Sequence, residues 1–116
     1  MPVSRMREPT YFILAALQDQ DRHGYAIMAR AEELSGGRVK LQTGTLYAAL
    51  DRLTSEGLVH PAGEEIVNGR ARRYYALTDA GHAELVAEAQ RMSDAAQVVI
   101  AAVKPRPALR PRGAPA

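Results

Sequence analysis

Thr43-Gly44-Thr45-Leu46-Tyr47-Ala48-Ala49-Leu50-Asp51-Arg52-Leu53-Thr54-Ser55-Glu56-Gly57-Leu58 is the stretch that decides the fold. Leu46, Leu50 and Leu53 recur at helical spacing, Thr43 stands where a side-chain cap is expected, and Gly57 stands where a helix stops. At 100° per residue the leucines share one face, Tyr47 lies on its flank, and Ala48, Asp51, Arg52 and Ser55 point away. The segment therefore reads as a short amphipathic helix with a second surface free to meet a partner.

Upstream, Thr10 is placed to cap the apolar run Tyr11-Phe12-Ile13-Leu14-Ala15-Ala16-Leu17, which predicts a short buried helix ending in the polar cluster Gln18 to Arg22. Ile27, Met28, Ala31 and Leu34 mark a second helix, closed by Gly36-Gly37. Downstream of Gly57 the period changes. Two strand-like runs flank Asn68-Gly69, the strongest short-range signal for a two-residue hairpin. Such a loop pairs Val67 with Arg70, Ile66 with Ala71, Glu65 with Arg72 and Glu64 with Arg73.

Thr78 is set to cap a last, long helix, with Asp79 in its first turn where a negative charge suits the helix dipole. Leu85, Ala89, Met92, Ala96, Val99 and Val103 alternate by four and three residues, the spacing of a coiled-coil seam. A seam on a helix of that length calls for a partner, most simply the same helix of a second copy. Pro105, Pro107 and Pro111 prevent its continuation, so 104–116 reads as a disordered basic tail rich in proline. The expected fold is mainly α with a small β-hairpin: a winged helix-turn-helix of three helices and a two-stranded wing over 8–77, then one long dimerisation helix over 78–103.

Charge restricts the partners. Lys104, Arg106, Arg110 and Arg112 lie in the last thirteen residues without an acid, so the rest of the chain carries −2 against a total of +2. A nucleic-acid role must then rest on local placement of arginines and not on a globally basic body. There is no cysteine, no apolar run of spanning length, and no apolar signal core after Met1-Pro2. A cytoplasmic protein without disulfides or membrane attachment is expected. His23, His60 and His82 lack ligand spacing, Glu64 and Glu65 point to opposite faces of a strand, and no nucleophile elbow or phosphate-cradling glycine loop is present. Neither a metal, a cofactor nor an enzyme is expected.

The residues also carry a resemblance. Gly44-Thr45-Leu46-Tyr47-Ala48-Ala49-Leu50, Arg52-Leu53, Gly57-Leu58-Val59, Gly69-Arg70, Tyr74-Tyr75-Ala76-Leu77-Thr78, Gly81 and His23-Gly24-Tyr25 closely resemble the PadR family of bacterial transcriptional regulators, over roughly Tyr11 to Leu85. The single final helix resembles the shorter subclass of that family. The resemblance implies a homodimeric, usually repressing DNA-binding protein that reads a palindromic operator in double-stranded DNA and is released by a small-molecule effector or stress signal. Ala48 stands where the family usually has proline and Val39 where it has an aromatic residue.

On this reading the DNA-contacting residues are Gly44 and Thr45, whose backbone N–H groups open the helix, then Tyr47, Ala48 and Arg52 along it, with Asn68, Arg70 and Arg72 on the wing. Arg72 and Arg73 face glutamates across the hairpin; Arg70 faces Val67 and is the first choice for a groove contact. Asp51 opposes DNA unless it accepts from a cytosine amino group. With the net −2 of the body it favours a rival reading, a winged-helix dimer that binds protein. An effector pocket lined by Met92 and Ala96 between two copies competes with a closed seam, which the alanines allow.

Overall fold

The structure, a computed structural model, describes residues 6–103, so the tail expected over 104–116 lies outside the described residues. The elements run α1 (Glu8–Ala16), β1 (Arg22–His23), α2 (Gly24–Leu34), α3 (Thr43–Ser55), β2 (Val59–Val67), β3 (Arg70–Leu77) and α4 (Asp79–Ala102). The core gathers Ile13 and Leu14 of α1, Ile27 of α2, Leu46, Leu50 and Leu53 of α3 and Val59 of β2, all essentially inaccessible to solvent. Each of these side chains contributes roughly 1.5–3 kcal/mol by leaving water.

Two caps differ from expectation. Thr10 does not start α1; Pro9 occupies the first turn, where a missing N–H is harmless, and draws the start back to Glu8. Thr10 is instead a buried residue inside the helix. Thr43 does not cap α3 either. Gln42 holds the capping position through its backbone, with Leu46 N donating to the Gln42 carbonyl at 2.9 Å, and Thr43 is the first helical residue.

The stops follow the glycines. Gly37 N donates to Glu32 O at 2.8 Å and Gly36 N to Glu33 O at 3.2 Å, the double bond that satisfies the last carbonyls of α2. α3 ends the same way, with Leu58 N on Leu53 O at 2.9 Å and Gly57 N on Thr54 O at 3.0 Å, and Gly57 has φ +76°. Ser35 closes the connection between the two helices: its hydroxyl donates to Glu32 O at 3.1 Å and accepts from Val39 N at 2.9 Å.

The hairpin has the predicted register, Val67 with Arg70, Ile66 with Ala71, Glu65 with Arg72 and Glu64 with Arg73. Asn68 (φ 53°) and Gly69 (φ 74°) are both left-handed, as a turn matching the twist of the strands requires. The pairing slips between Pro61 and Glu64, where Gly63 takes φ 121°, so β2 carries a bulge below the wing tip. A third strand joins the expected pair: β1 pairs with β3 through Arg22 with Tyr75 and His23 with Tyr74, giving the order β1-β3-β2.

α4 starts from a clamp on the end of α3. Thr78 Oγ1 accepts from Gly81 N at 2.9 Å and donates to Gly57 O at 2.6 Å, while Thr78 N donates to Leu58 O at 3.1 Å. A Cβ on Gly81 would stand 2.0 Å from Leu58 O, so the helix can pass this close only with glycine there. The expected seam then divides. Leu85, 3% exposed, belongs to the chain's own core, which corrects its assignment to a dimer contact: α1 already covers that turn. Beyond it Ala89 is half-buried, and Met92, Ala96, Val99 and Val103 are exposed, Val103 as the residue that ends the helix. No helix among the described residues is long and apolar enough to cross a membrane.

Candidate nucleic-acid interface

The outward strip of α3 consists of Gly44, Ala48, Asp51 and Ser55, all exposed. None of them carries a positive charge. Cations come instead from the wing, across a cleft of about 390 Å³ lined by Gly24, Tyr25, Tyr47, Asn68, Arg70 and Arg72. The structure thus brings together four of the expected residues, Tyr47, Asn68, Arg70 and Arg72. Gly44, Thr45 and Ala48 adjoin them on the exposed start of α3, where no side chain caps the helix and first-turn N–H groups remain available to an anion.

Tyr47 is placed by what lies beneath it. The side chain is 39% exposed, and its hydroxyl sits over Gly24 so closely that a Cβ there would be 2.4 Å away. Gly24 is the first residue of α2, and His23 before it caps that helix, Nδ1 accepting from Ala26 N at 3.4 Å. The His23 ring meets Tyr74 edge to face at 5.4 Å between centroids. Burial, and then the positive charge of Arg72, hold the His23 pKa below its ordinary value of 6.5, with Glu65 opposing. A neutral imidazole is what a cap by Nδ1 requires.

The wing arginines differ in their neighbours. Arg72 Nη1 lies 4.0 Å from Glu65 Oε1 and Arg73 Nε lies 3.9 Å from Glu64 Oε2. Exposed pairs of that length are worth at most about 1 kcal/mol, so either arginine can be drawn to a phosphate at little cost. Glu65 also accepts from Tyr74 Oη at 2.7 Å, and this bond raises the Tyr74 pKa above its ordinary value. Among the described residues Arg70 has no carboxylate partner, and it stands beside the turn.

Arg52 does not join this group. Its Nη2 donates to Thr10 Oγ1 of α1 at 2.9 Å and its Nη1 lies 3.8 Å from Glu56 Oε1, on the side of α3 away from the wing. The structure thus does not bring Arg52 to the wing cleft with the other expected residues. Conversely His23, Tyr25 and Arg73 line the cleft without having been singled out as site residues, Tyr25 with 68% of its surface exposed. The sequence signal for two of them is the run His23-Gly24-Tyr25, which belongs to the family resemblance. Among the described residues no three of His, Cys, Asp and Glu come together to hold a metal ion.

Residues 13–87 match the model of the Transcriptional regulator PadR-like family. The chain is 35% identical over 88 residues to Transcriptional regulator Rv3488 of Mycobacterium tuberculosis, covering 76% of this chain and 78% of that protein. It is 43% identical over 89 residues to a 37.1 kDa protein in transposon TN4556 of Streptomyces fradiae, covering 77% of this chain but only 24% of that one. It therefore spans about a quarter of the transposon protein's length. Among solved structures, Bacillus subtilis PadR in complex with operator DNA has the same fold, with a TM-score of 0.60 and 24% identity over 90% of this chain and 53% of that one.

Proposed function

Because this chain belongs to the PadR-like family of transcriptional regulators, which are not enzymes, we propose that it is a homodimeric DNA-binding repressor of its own or adjacent genes. The observation that carries this reading is the cleft between Tyr47 and the wing, lined also by Arg70, which has no carboxylate partner among the described residues. Residues 8–77 form the reading unit. α3 enters the major groove by its start, from Gly44 to Ala48; Tyr47 and Tyr25 meet the phosphate backbone, and Arg70, with Asn68 and Arg72, reaches the neighbouring minor groove.

A second copy supplies the symmetry of a palindromic operator. Met92, Ala96, Val99 and Val103 present an apolar stripe on the far half of α4, and the matching stripe of another copy is the simplest cover for it. A small-molecule or stress signal acting where the two helices meet then releases the DNA by changing the separation of the two reading helices. The Bacillus subtilis protein solved with operator DNA supports the reading through its shared fold.

The competing reading, a winged-helix dimer that binds protein, is favoured by Asp51 on the outward strip. One experiment separates them: a gel-shift assay with DNA from upstream of the gene, in competition with unrelated duplex. Specific retardation that weakens with Arg70→Ala and Tyr47→Ala supports the repressor; no specific retardation at low salt rejects it.

A further inference from the structure

Tyr47 and Arg52 lie on opposite flanks of the leucine stripe of α3. One leans toward the wing cleft, the other into a second cavity of about 380 Å³ lined by Met6, Thr10, Arg52, Glu56, Leu58 and Glu84. That cavity is where α1, α3 and α4 meet. Arg52 is the side chain that crosses it, donating to Thr10 Oγ1 at 2.9 Å while Glu56 steadies the other guanidinium nitrogen at 3.8 Å. Thr10 is itself 8% exposed and fixed within α1, so it is a firm anchor.

The rest of α3 shows what such a brace is for. Its end is clamped to α4 through Gly57, Leu58, Thr78 and Gly81. Its start lies about 20 Å away at 1.5 Å per residue. A tilt of a few degrees about the clamp therefore moves Gly44 by about an ångström relative to α4, enough to throw the reading helices of two joined copies out of register with two half-sites while each alone can still seat on one. The geometry points to Arg52 as a positioning residue that, through Thr10, fixes the angle of the reading helix to the dimer helix, and that makes no contact with DNA itself. This rests on the dimeric DNA-binding reading above.

Two measurements test it. First, Arg52→Ala, Thr10→Val and the double variant are titrated against the footprinted operator from upstream of the gene and against a duplex holding one half-site. A brace makes Arg52→Ala and Thr10→Val alike. Each loses about 3- to 10-fold on the full operator, as expected for one net hydrogen bond, with half-site affinity and salt dependence unchanged and no further loss in the double variant. If Arg52→Ala instead weakens the half-site and lowers the log-log salt slope by about 0.9 while Thr10→Val behaves as wild type, Arg52 contacts a phosphate and the proposal is overturned. Equal affinities for all four proteins overturn it as well.

The second measurement uses no DNA, so it stands apart from the fate of the repressor reading. The thermal midpoints of the same four proteins should show coupling, with the double variant falling by less than the sum of the two single losses. Strict additivity shows that the two side chains do not act together and overturns the brace.

Discussion

The hydroxyl of Tyr47 rests on Gly24: a Cβ at residue 24 would stand 2.4 Å from that oxygen and 2.9 Å from the adjoining ring carbon. Residue 24 therefore decides where the tyrosine of the reading helix points, although it lies on a different helix. The clash falls on the tip of a half-exposed ring, which can swing outward, and not on backbone. Gly24→Ala should thus leave the thermal midpoint within a few degrees of wild type while operator affinity falls as much as in Tyr47→Ala. A variant that melts far lower, or binds operator unchanged, contradicts this placement of Tyr47.

Arg70→Ala is expected to lose on the order of 1 to 3 kcal/mol of operator affinity if the side chain enters a groove. Arg73→Ala, whose charge is already opposed by Glu64 at 3.9 Å, should lose less. Fluorescence anisotropy with labelled operator at two salt concentrations ranks the pair. The reverse order would move the wing contact from the turn to the strand.

Gly81→Ala should be among the most damaging single changes, because the new methyl meets the Leu58 carbonyl oxygen at 2.0 Å, backbone that cannot turn aside. A loss of about 3 kcal/mol or more is expected from chemical denaturation, against about 1 kcal/mol for Thr78→Ala, which removes a cap.

Neutral His23 sets a pH dependence. Its folded pKa is held below the unfolded value of 6.5, first by burial and then by Arg72, so the unfolded chain binds the extra proton more readily. The stability that comes from the neutral ring is present in full above pH 6.5 and is lost as pH falls through the folded pKa. Denaturant midpoints measured from pH 7.5 down to pH 5 should decline, and His23→Asn, which retains a capping oxygen, should flatten that decline. An unchanged slope in the variant assigns the dependence to other groups.

The two halves of α4 should respond differently to substitution. Leu85→Ala removes a core side chain and is expected to cost about 2–5 kcal/mol of stability. Val99→Glu, on a side chain 67% exposed, should leave the fold intact and, on the dimeric reading proposed above, sediment as a monomer where the unaltered chain sediments as a dimer. A Val99→Glu protein that sediments as a dimer places the contact elsewhere.

Much of this was legible in the chain, for identifiable reasons. Asn68-Gly69 requires a turn with two left-handed residues, and that alone sets the register that puts Glu65 against Arg72. The leucine spacing in α3 gave the buried face, since all three leucines are fully inaccessible. What escaped depends on neighbours distant in sequence. β1 has two residues, too few for a period, and exists because β3 offers an open edge. Arg52 looks the same on a helical projection whether it faces DNA or Thr10, and only the position of α1 decides. Leu85 fits a seam of alternating fours and threes equally well when the partner is the chain's own α1. Thr10 and Thr43 have side chains suited to capping, but Pro9 and the Gln42 backbone set the helix starts.

The outward strip of α3 takes no part in holding the molecule together. Gly44, Ala48, Asp51 and Ser55 are exposed, and a Cβ added at Gly44 meets nothing within 4 Å. Substitutions there leave the leucine stripe, the clamp on α4 and the bed of Tyr47 untouched. On the proposed reading, what the helix recognises is thus separable from what makes it fold: four surface positions can drift to a new target sequence while stability stays nearly constant, which would make operator preference the property most open to rapid evolution and to redesign.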